Sequence, residues 1–347
     1  MFSWEIYTKC LKTMKNRKIG QFKVSTIGLG CMNLSHAYGT PPSAEAAERL
    51  LLAALDEGVT LFDTAALYGL GSNETLLGKV LRNKRSQFTL SSKGGMAGVD
   101  VAGDGKLVRV IDGRPATVRK NCEDSLRRLQ TDVIDLYYLH RWDKKVPIED
   151  SVGAMADLVQ KGMVRSIGLS EVSAATIRKA HAVYPIAAVQ TEYSLWTRNP
   201  EIAVLKTCEE IGATFVAFSP VGRGFLTSAP PDVALLGDKD IRKTMPRFLP
   251  ENYAANLKLL QGLKVIADET ACTPAQLSLA WLLYKSDHIV PIPGTTNVAH
   301  LQENLAAVNI QLTPVLVERM EALINRKTVV GGRYNPQATS EVDTENY

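Results

Sequence analysis

The chain has 347 residues, of which 40 are Lys or Arg and 36 are Asp or Glu, so its formal net charge is +4. This small excess is spread along the chain, whereas nucleic-acid-binding proteins usually carry a clustered basic stripe, so no nucleic-acid partner is expected. Hydrophobic residues at 45% and charged residues at 22% are typical of globular proteins, and no apolar run is long enough for a membrane-spanning helix.

The two ends of the chain and its cysteines add little to this framework. Residues 1–13 lack the apolar segment and cleavage site of a secretory signal, so we expect an extension outside the fold, with Met14 as a possible second start. The fold is expected over residues 14–327, and 328–347 is expected to be a tail over the surface. The scattered cysteines favour neither disulfides nor a zinc site; they fit a reducing, cytoplasmic compartment. They are Cys10, Cys31, Cys122, Cys208 and Cys272.

In chain order, a hairpin over 17–24 with its turn at Gly20 precedes eight short apolar runs, each typical of a buried strand. The predicted strands are 25–30, 59–64, 87–93, 133–140, 163–170, 186–193, 213–220 and 288–294. Helical patterns lie between them, and three of these end at a capping glycine. These three are 43–58, with Ser43 as N-cap, 150–162 and 202–212.

Alternating strands and helices predict a parallel sheet, either doubly wound or closed into a barrel. Eight units in a chain of this length favour a single α/β domain, a (β/α)8 TIM barrel with an N-terminal hairpin. The connections 94–114 and 222–255 are long, and we expect them to lie over the C-terminal face of the barrel.

Common nucleotide and hydrolase motifs are absent from the sequence. Gly28 and Gly30 lie at the end of a predicted strand, but Asn33 stands where a dinucleotide-binding G-x-G-x-x-G needs its third glycine. There is also no phosphate-binding loop, zinc-protease helix or serine-hydrolase elbow.

Catalytic groups of a barrel lie at the C-terminal ends of its strands. Those ends carry Asp63, with Tyr68 in the loop beyond it, then Lys93 and His140. Each residue alone has an ordinary structural explanation, as a cap, a solvated terminus or a packing residue. Because all four fall on one predicted face, we interpret them as a candidate site.

Seven segments carry a resemblance to a known family. They are FDTAALYG (62–69), SSKGG (91–95), YYLHRWD (137–143), GLSEVS (168–173), VQTEYS (189–194), FSPVGRGFLT (218–227) and IPGTTNVAHLQEN (292–304). In these segments the chain resembles the aldo-keto reductases from about Arg17 to Ala307. The resemblance is closest to the bacterial and plant branch that includes perakine reductase.

The resemblance implies a catalytic tetrad of Asp63, Tyr68, Lys93 and His140, acting without a metal in an NADP(H)-dependent carbonyl reductase or alcohol dehydrogenase. Tyrosine is a weak acid, with an ordinary pKa of about 10. A neighbouring ammonium favours the phenolate, so we expect Lys93, oriented by Asp63, to lower the pKa of Tyr68. His140 is expected to polarise the substrate carbonyl.

The resemblance further implies a nicotinamide cofactor. At the nicotinamide end, the expected contacts are Ser170 and Gln190 for the carboxamide and Phe218 for the ring. The residues expected at the pyrophosphate are Ser219, Gly222, Arg223, Gly224 and Leu226. Those expected at the adenosine phosphate are Gly294, Thr295, Thr296 and Asn297, and those at the adenine are Gln302 and Asn304. Relatives often carry Lys or Arg near Asn297 or His300 to hold the 2′-phosphate, and this chain has neither. We still expect NADP(H), with NAD(H) possible. Glu171 replaces an Asn found in some branches.

Two other functions stay open. The chain also resembles potassium-channel β-subunits, which are nucleotide-binding regulatory partners. A metal-dependent barrel hydrolase using Asp63 and His140 would need further ligands at other strand ends.

The expected substrate is a small-molecule carbonyl or alcohol; its identity, the physiological direction and the oligomeric state are left open by the sequence. Trp142, Tyr193, Trp196 and Phe225 are equally compatible with a substrate pocket and with packing.

Overall fold

The computed structural model describes residues 16–347. The expected extension 1–13 and Met14 therefore lie outside the described residues. The strands are β1 (Asn16–Ile19), β2 (Phe22–Ser25), β3 (Leu29–Gly30), β4 (Leu61–Asp63), β5 (Thr89–Gly94), β6 (Met96–Asp100), β7 (Leu107–Ile111), β8 (Ile134–Leu139), β9 (Val164–Ser170), β10 (Ile186–Glu192), β11 (Thr214–Phe218) and β12 (Ile289–Pro291).

Eight of these strands form one parallel sheet in the order β12-β11-β10-β9-β8-β5-β4-β3. The first and last strands meet, because Gly28 N donates to Pro291 O at 3.0 Å and Gly30 N donates to Pro293 O at 3.2 Å. The sheet is therefore closed, which confirms the predicted barrel. Each predicted strand run contains one of these eight strands, apart from a one-residue overrun at Gly94.

Helices surround the barrel. They are α1 (Ala44–Asp56), α2 (Ser72–Leu81), α3 (Pro115–Leu129), α4 (Ile148–Gln160), α5 (Ala174–Val183), α6 (Val204–Ile211), α7 (Pro250–Glu269), α8 (Pro274–Lys285), α9 (Val298–Ala306), α10 (Pro314–Leu323) and α11 (Pro336–Ser340). The Ser43 side chain accepts from Ala46 N at the start of α1, as the sequence predicts. No helix in residues 16–347 is long and apolar enough to cross a bilayer.

Strand alternation divides the core into two parts. Side chains such as Leu61, Leu136 and Val216 fill the barrel interior, while their neighbours in sequence pack outward against the helices. Strands β1 and β2 form the predicted hairpin, and its Ile19 and Val24 join the interior cluster. The hairpin thus closes the N-terminal end of the barrel, and the cavity described below lies at the opposite end.

One predicted loop is structured. Within 94–114, β6 and β7 pair as an antiparallel hairpin, with Met96 opposite Ile111. The carboxylate of Asp100 accepts from the backbone N–H groups of Gly103 and Gly105 and thereby holds the tip. The hairpin was not predicted because the Gly- and Asp-rich sequence of its tip is typical of a loop. In addition, its largely exposed strands lack the pattern of apolar residues by which a strand is recognised.

The C-terminal segment 331–347 folds back over the C-terminal end of the barrel. It contains α11, and Val172 forms a parallel bridge with Asp343 just beyond β9. The Asp343 carboxylate accepts from Ser173 Oγ at 3.0 Å and from Thr176 Oγ1 at 2.6 Å. The segment is therefore attached to the first turn of α5, although its sequence has no helical or strand periodicity.

The barrel interior leaves no room at Gly168. A Cβ there would lie 2.5 Å from the Tyr138 ring and 2.7 Å from Ala188 O. We expect Gly168→Ala to lower the free energy of unfolding by about 1–3 kcal/mol through overpacking, measured by urea denaturation. Gly153 in α4 is the matched control, since a Cβ there meets nothing within 4 Å. Gly153→Ala should stabilise the protein by about 0.5–1 kcal/mol. Equal effects of the two substitutions would contradict this account of the interior.

Candidate active site

Three neighbouring strands bring the candidate catalytic groups together. Asp63 is the last residue of β4, Lys93 lies near the end of β5, and His140 follows β8 directly. All three side chains face the barrel interior because they continue the inward alternation of their strands. Tyr68 approaches from the loop after β4, in a short 3-10 turn that begins at that residue.

The ammonium of Lys93 is fully enclosed and has a partner for each of its three N–H groups. It donates to the Asp63 carboxylate, to Thr64 O at 2.8 Å and to the Tyr68 hydroxyl at 3.3 Å. Asp63 also accepts from Ser91 Oγ at 2.7 Å. Because the Tyr68 oxygen accepts from Lys93 and its proton has no acceptor among the described residues, the phenol is free to donate into the cavity.

Burial and charge act in opposite directions on the two central groups. Burial raises the pKa of Tyr68, and the lowering effect of Lys93 is smaller. The net direction therefore differs from the expectation that Lys93 lowers this pKa below its ordinary value. Burial alone would lower the pKa of Lys93, but Asp63 and Tyr68 together raise it. At neutral pH the lysine is charged and the phenol keeps its proton.

The His140 imidazole lies edge-on to the Tyr68 ring, with 5.8 Å between the ring centroids. Burial is the main cause that lowers the pKa of His140 well below its ordinary value, and the nearby Arg141 adds to it. His140 Nδ1 is buried and makes no hydrogen bond with any described residue. The imidazole is therefore neutral at physiological pH.

These groups open into a cavity of about 810 Å³ at the C-terminal end of the barrel. Asp63, Tyr68 and His140 line it, and Lys93 lies behind them. Of the residues expected at a cofactor, those that line the cavity are Ser170, Gln190, Phe218, Ser219, Arg223, Gly224, Gly294, Thr295, Thr296 and Asn304. The cavity therefore runs from the tetrad to the start of α9.

The other four expected cofactor residues do not line this cavity. Leu226 is buried in the core, and the backbone of Gly222 packs against the indole of Trp196. Asn297 caps α9 by accepting from Ala299 N at 2.8 Å. Gln302 donates to Glu57 Oε1 at 2.7 Å.

The two residues expected at a carboxamide already have partners within the protein. Gln190 Nε2 donates to Asp63 Oδ2 at 2.9 Å, so this amide also orients the tetrad carboxylate. Ser170 Oγ accepts from Arg141 Nη1 at 3.3 Å. The guanidinium carbons of Arg223 and Arg333 lie 6.0 and 5.9 Å from the centroid of the Phe218 ring.

A buried charge cluster joins the cavity to the C-terminal segment. Arg333 donates to Glu171 Oε1 at 2.6 Å and to Glu192 Oε2 at 3.1 Å, and Arg223 donates to Glu192 Oε2 at 2.5 Å. Burial would raise the pKa of Glu192, but Arg223, Arg333 and Arg247 lower it to about 2. Glu171, whose role the sequence leaves open, is therefore the buried partner of Arg333.

Sequence reasoning missed several residues of the site. Arg109 and Glu341 line the cavity as an ion pair between β7 and the C-terminal segment, with Nη1 and Oε2 2.7 Å apart. Arg141 and Tyr334 also line it. Only Arg141 could have been found from the sequence, because it lies next to His140 at a strand end. The other three residues reach the cavity through contacts between distant segments.

The aromatic residues that the sequence left undecided are packing residues. Trp196 stacks on Phe225 with 4.1 Å between the ring centroids, and Tyr193 packs against Trp281 at 5.2 Å. Trp142 donates through Nε1 to Val146 O at 2.7 Å. None of these residues lines the described cavity.

The barrel, its N-terminal hairpin and the four polar groups at its C-terminal end define the class of protein. Residues 26–325 match the Aldo/keto reductase family, and the chain belongs to this family. Aldo-keto reductase yakc of Schizosaccharomyces pombe, a protein whose name carries NADP(+), is 41% identical over 335 residues, which cover 95% of this chain and 97% of that protein.

Two solved structures are similar along nearly the whole chain. Glycerol dehydrogenase AKR11B4 from Gluconobacter oxydans has a TM-score of 0.82 and 26% identity, covering 93% of this chain and 98% of the other. Aldo-keto reductase AKR11C1 from Bacillus halodurans, in its holo form, has a TM-score of 0.74 and 28% identity, covering 90% and 97%. In the part of the chain that the structure describes, no cluster of three or more His, Cys, Asp or Glu is placed to hold a metal.

We expect Arg333→Gln to lower the free energy of unfolding by about 3 kcal/mol, because it leaves buried Glu171 without its cation. Urea denaturation measures the loss, and adding Glu171→Gln should recover part of it. Arg319→Gln is the matched control, since Arg319 pairs with Glu269 on the surface. That variant should lose less than about 1 kcal/mol. A similar loss for the surface and buried pairs would argue against the buried cluster.

Proposed function

We propose that the protein is an NADP(H)-dependent carbonyl reductase or alcohol dehydrogenase that acts on an aldehyde or ketone. The observation that carries the proposal is the buried ammonium of Lys93, which joins Asp63 to the hydroxyl of Tyr68 beside neutral His140. A phenol held in this way is a proton donor suited to an alkoxide that forms in the cavity.

The cavity fits a dinucleotide in its chemistry. Arg223 and Gly224 line one side, Phe218 offers an aromatic surface, and Thr295 and Thr296 precede the N-terminus of α9. A helix N-terminus with free N–H groups favours a phosphate. When bound, the nicotinamide supplies the hydride. The relative named with NADP(+) supports the choice of NADP(H).

The protein's own groups handle the oxygen of the substrate. Tyr68 and the imidazole of His140 both border the cavity, so a carbonyl oxygen placed between them receives two hydrogen bonds. Tyr68 then gives its proton to that oxygen as negative charge develops. Lys93 stabilises the phenolate that remains, and Asp63 keeps the ammonium charged and oriented. In the reverse direction the phenolate accepts the alcohol proton.

We expect Tyr68→Phe to lower kcat/KM for reduction by about 100- to 10,000-fold, because it removes the proton donor while keeping the ring. The assay follows NADPH absorbance with a panel of aldehydes and ketones. Tyr137→Phe is the matched control, since the Tyr137 hydroxyl is buried in β8 and does not line the cavity. Unchanged turnover in Tyr68→Phe would remove Tyr68 from the mechanism.

The same assay separates the other functions. A regulatory subunit resembling potassium-channel β-subunits would bind NADPH tightly and reduce none of the carbonyls. A metal-dependent hydrolase would oxidise no NADPH in this assay, whereas the proposed reduction oxidises NADPH and survives a chelator.

The preference for NADP(H) has its own test. Thr296 and His300 line the cavity at the start of α9, where the 2′-phosphate is expected. We expect His300→Ala to lower the ratio of kcat/KM with NADPH to that with NADH by several-fold, because a donor to the phosphate is lost. His288→Ala is the control, since His288 is exposed beside the N-terminal end of β12. Near-equal values with both cofactors in the unmodified protein would reject the NADP(H) preference.

A further inference from the structure

The arginines that line the cavity differ in how their charge is compensated. Arg109, Arg141, Arg223 and Arg242 border it. Three of them form ion pairs, with Glu341, Glu192 and Asp240 respectively. Arg141 forms none with any residue in 16–347. A half-buried guanidinium without a counter-charge is costly unless a ligand supplies the negative charge.

Arg141 also lies beside the reacting groups. It follows His140 in sequence, and its Nη1 donates to His140 O at 2.6 Å and to Ser170 Oγ at 3.3 Å. No other N–H of its guanidinium is bonded to a described residue. Two bonds to fixed partners hold the group in place, and the remaining donors are available to a ligand in the cavity.

The proposed cofactor does not supply the missing charge. Its phosphates are expected at Arg223 and Gly224 and at the start of α9, while its nicotinamide end, expected at Ser170, carries no negative charge. We infer that Arg141 binds a carboxylate on the carbonyl substrate, so that the preferred substrates are oxo acids and carboxyl-bearing aldehydes. This inference rests on the proposed function, and it names the substrate class of that same site.

The Arg109–Glu341 pair gives a second prediction about the preference for anionic substrates. Glu341 is the acid that the C-terminal segment places on the cavity wall, and Arg109 neutralises it. Removing the Glu341 carboxylate should therefore make the cavity more positive and more favourable to an anionic substrate, the opposite of removing Arg141.

The test uses the NADPH-loaded protein with the 2-, 3- and 4-carboxybenzaldehydes and their methyl esters, which differ in charge but share the reacting carbonyl. The quantity measured is the acid-to-ester ratio of kcat/KM, at pH 7 and low salt. We expect at least one acid to be preferred by 10-fold or more. Arg141→Gln should lower that ratio about 10- to 100-fold, mainly through KM for the acid, since a charge-assisted hydrogen bond is lost. Arg141→Lys should keep most of it, and Glu341→Gln should raise it.

Three results would overturn the inference while leaving the reductase intact. They are reduction of the esters without preference for any acid, equal losses for acid and ester in Arg141→Gln, and a lower ratio in Glu341→Gln. Equal losses would mean that Arg141 only positions His140 and Ser170. If no carbonyl is reduced, the proposed function fails. In that case calorimetry, which measures binding of the same carboxylates to the NADP⁺-loaded protein, decides whether Arg141 forms an anion site. Binding at least 10-fold weaker in Arg141→Gln supports the anion site, and equal binding refutes it.

Discussion

The site depends on one enclosed ammonium. A buried lysine is tolerated only when its charge is balanced and its N–H groups have acceptors. Lys93 meets this condition with a carboxylate, a backbone carbonyl and a phenol, from Asp63, Thr64 and Tyr68. Two of these acceptors, Asp63 and Thr64, lie at the end of β4 and directly after it. The third N–H of the ammonium therefore points towards the next part of the chain, the loop that carries Tyr68. The electrostatic requirement of the lysine thus fixes the position of the Tyr68 hydroxyl.

Much of this arrangement could be predicted from the sequence because the barrel imposes a strict alternation. In parallel strands of a closed sheet, every second side chain faces the interior, and polar residues at such positions near the C-terminal ends must converge. Asp63, Lys93 and His140 follow this pattern, so their proximity follows from strand counting. Tyr68 lies in the loop beyond Asp63, where alternation gives no information about side-chain direction, and its role as the acid was an expectation from the family resemblance.

What the sequence could not provide is pairing between distant segments. Glu171 and Arg333 are 162 positions apart and bind each other in the buried cluster. Nothing in the local pattern of either residue indicates its partner, and the segment around Arg333 has no periodicity from which to infer that it is attached to the barrel. The β6–β7 hairpin was missed for a related reason, because its exposed strands bury little surface and its tip reads as a flexible loop.

The balance of burial and charge at Tyr68 is the second quantity that residue types alone could not give. Counting charges predicts a more acidic phenol beside Lys93, whereas the structure shows that loss of solvent outweighs the lysine. This makes Lys93 a partial compensation for burial rather than the source of an unusually acidic tyrosine. Burial also keeps His140 neutral, with Arg141 adding to the effect. Both groups are therefore neutral and able to donate a hydrogen bond into the cavity, as the proposed reduction requires.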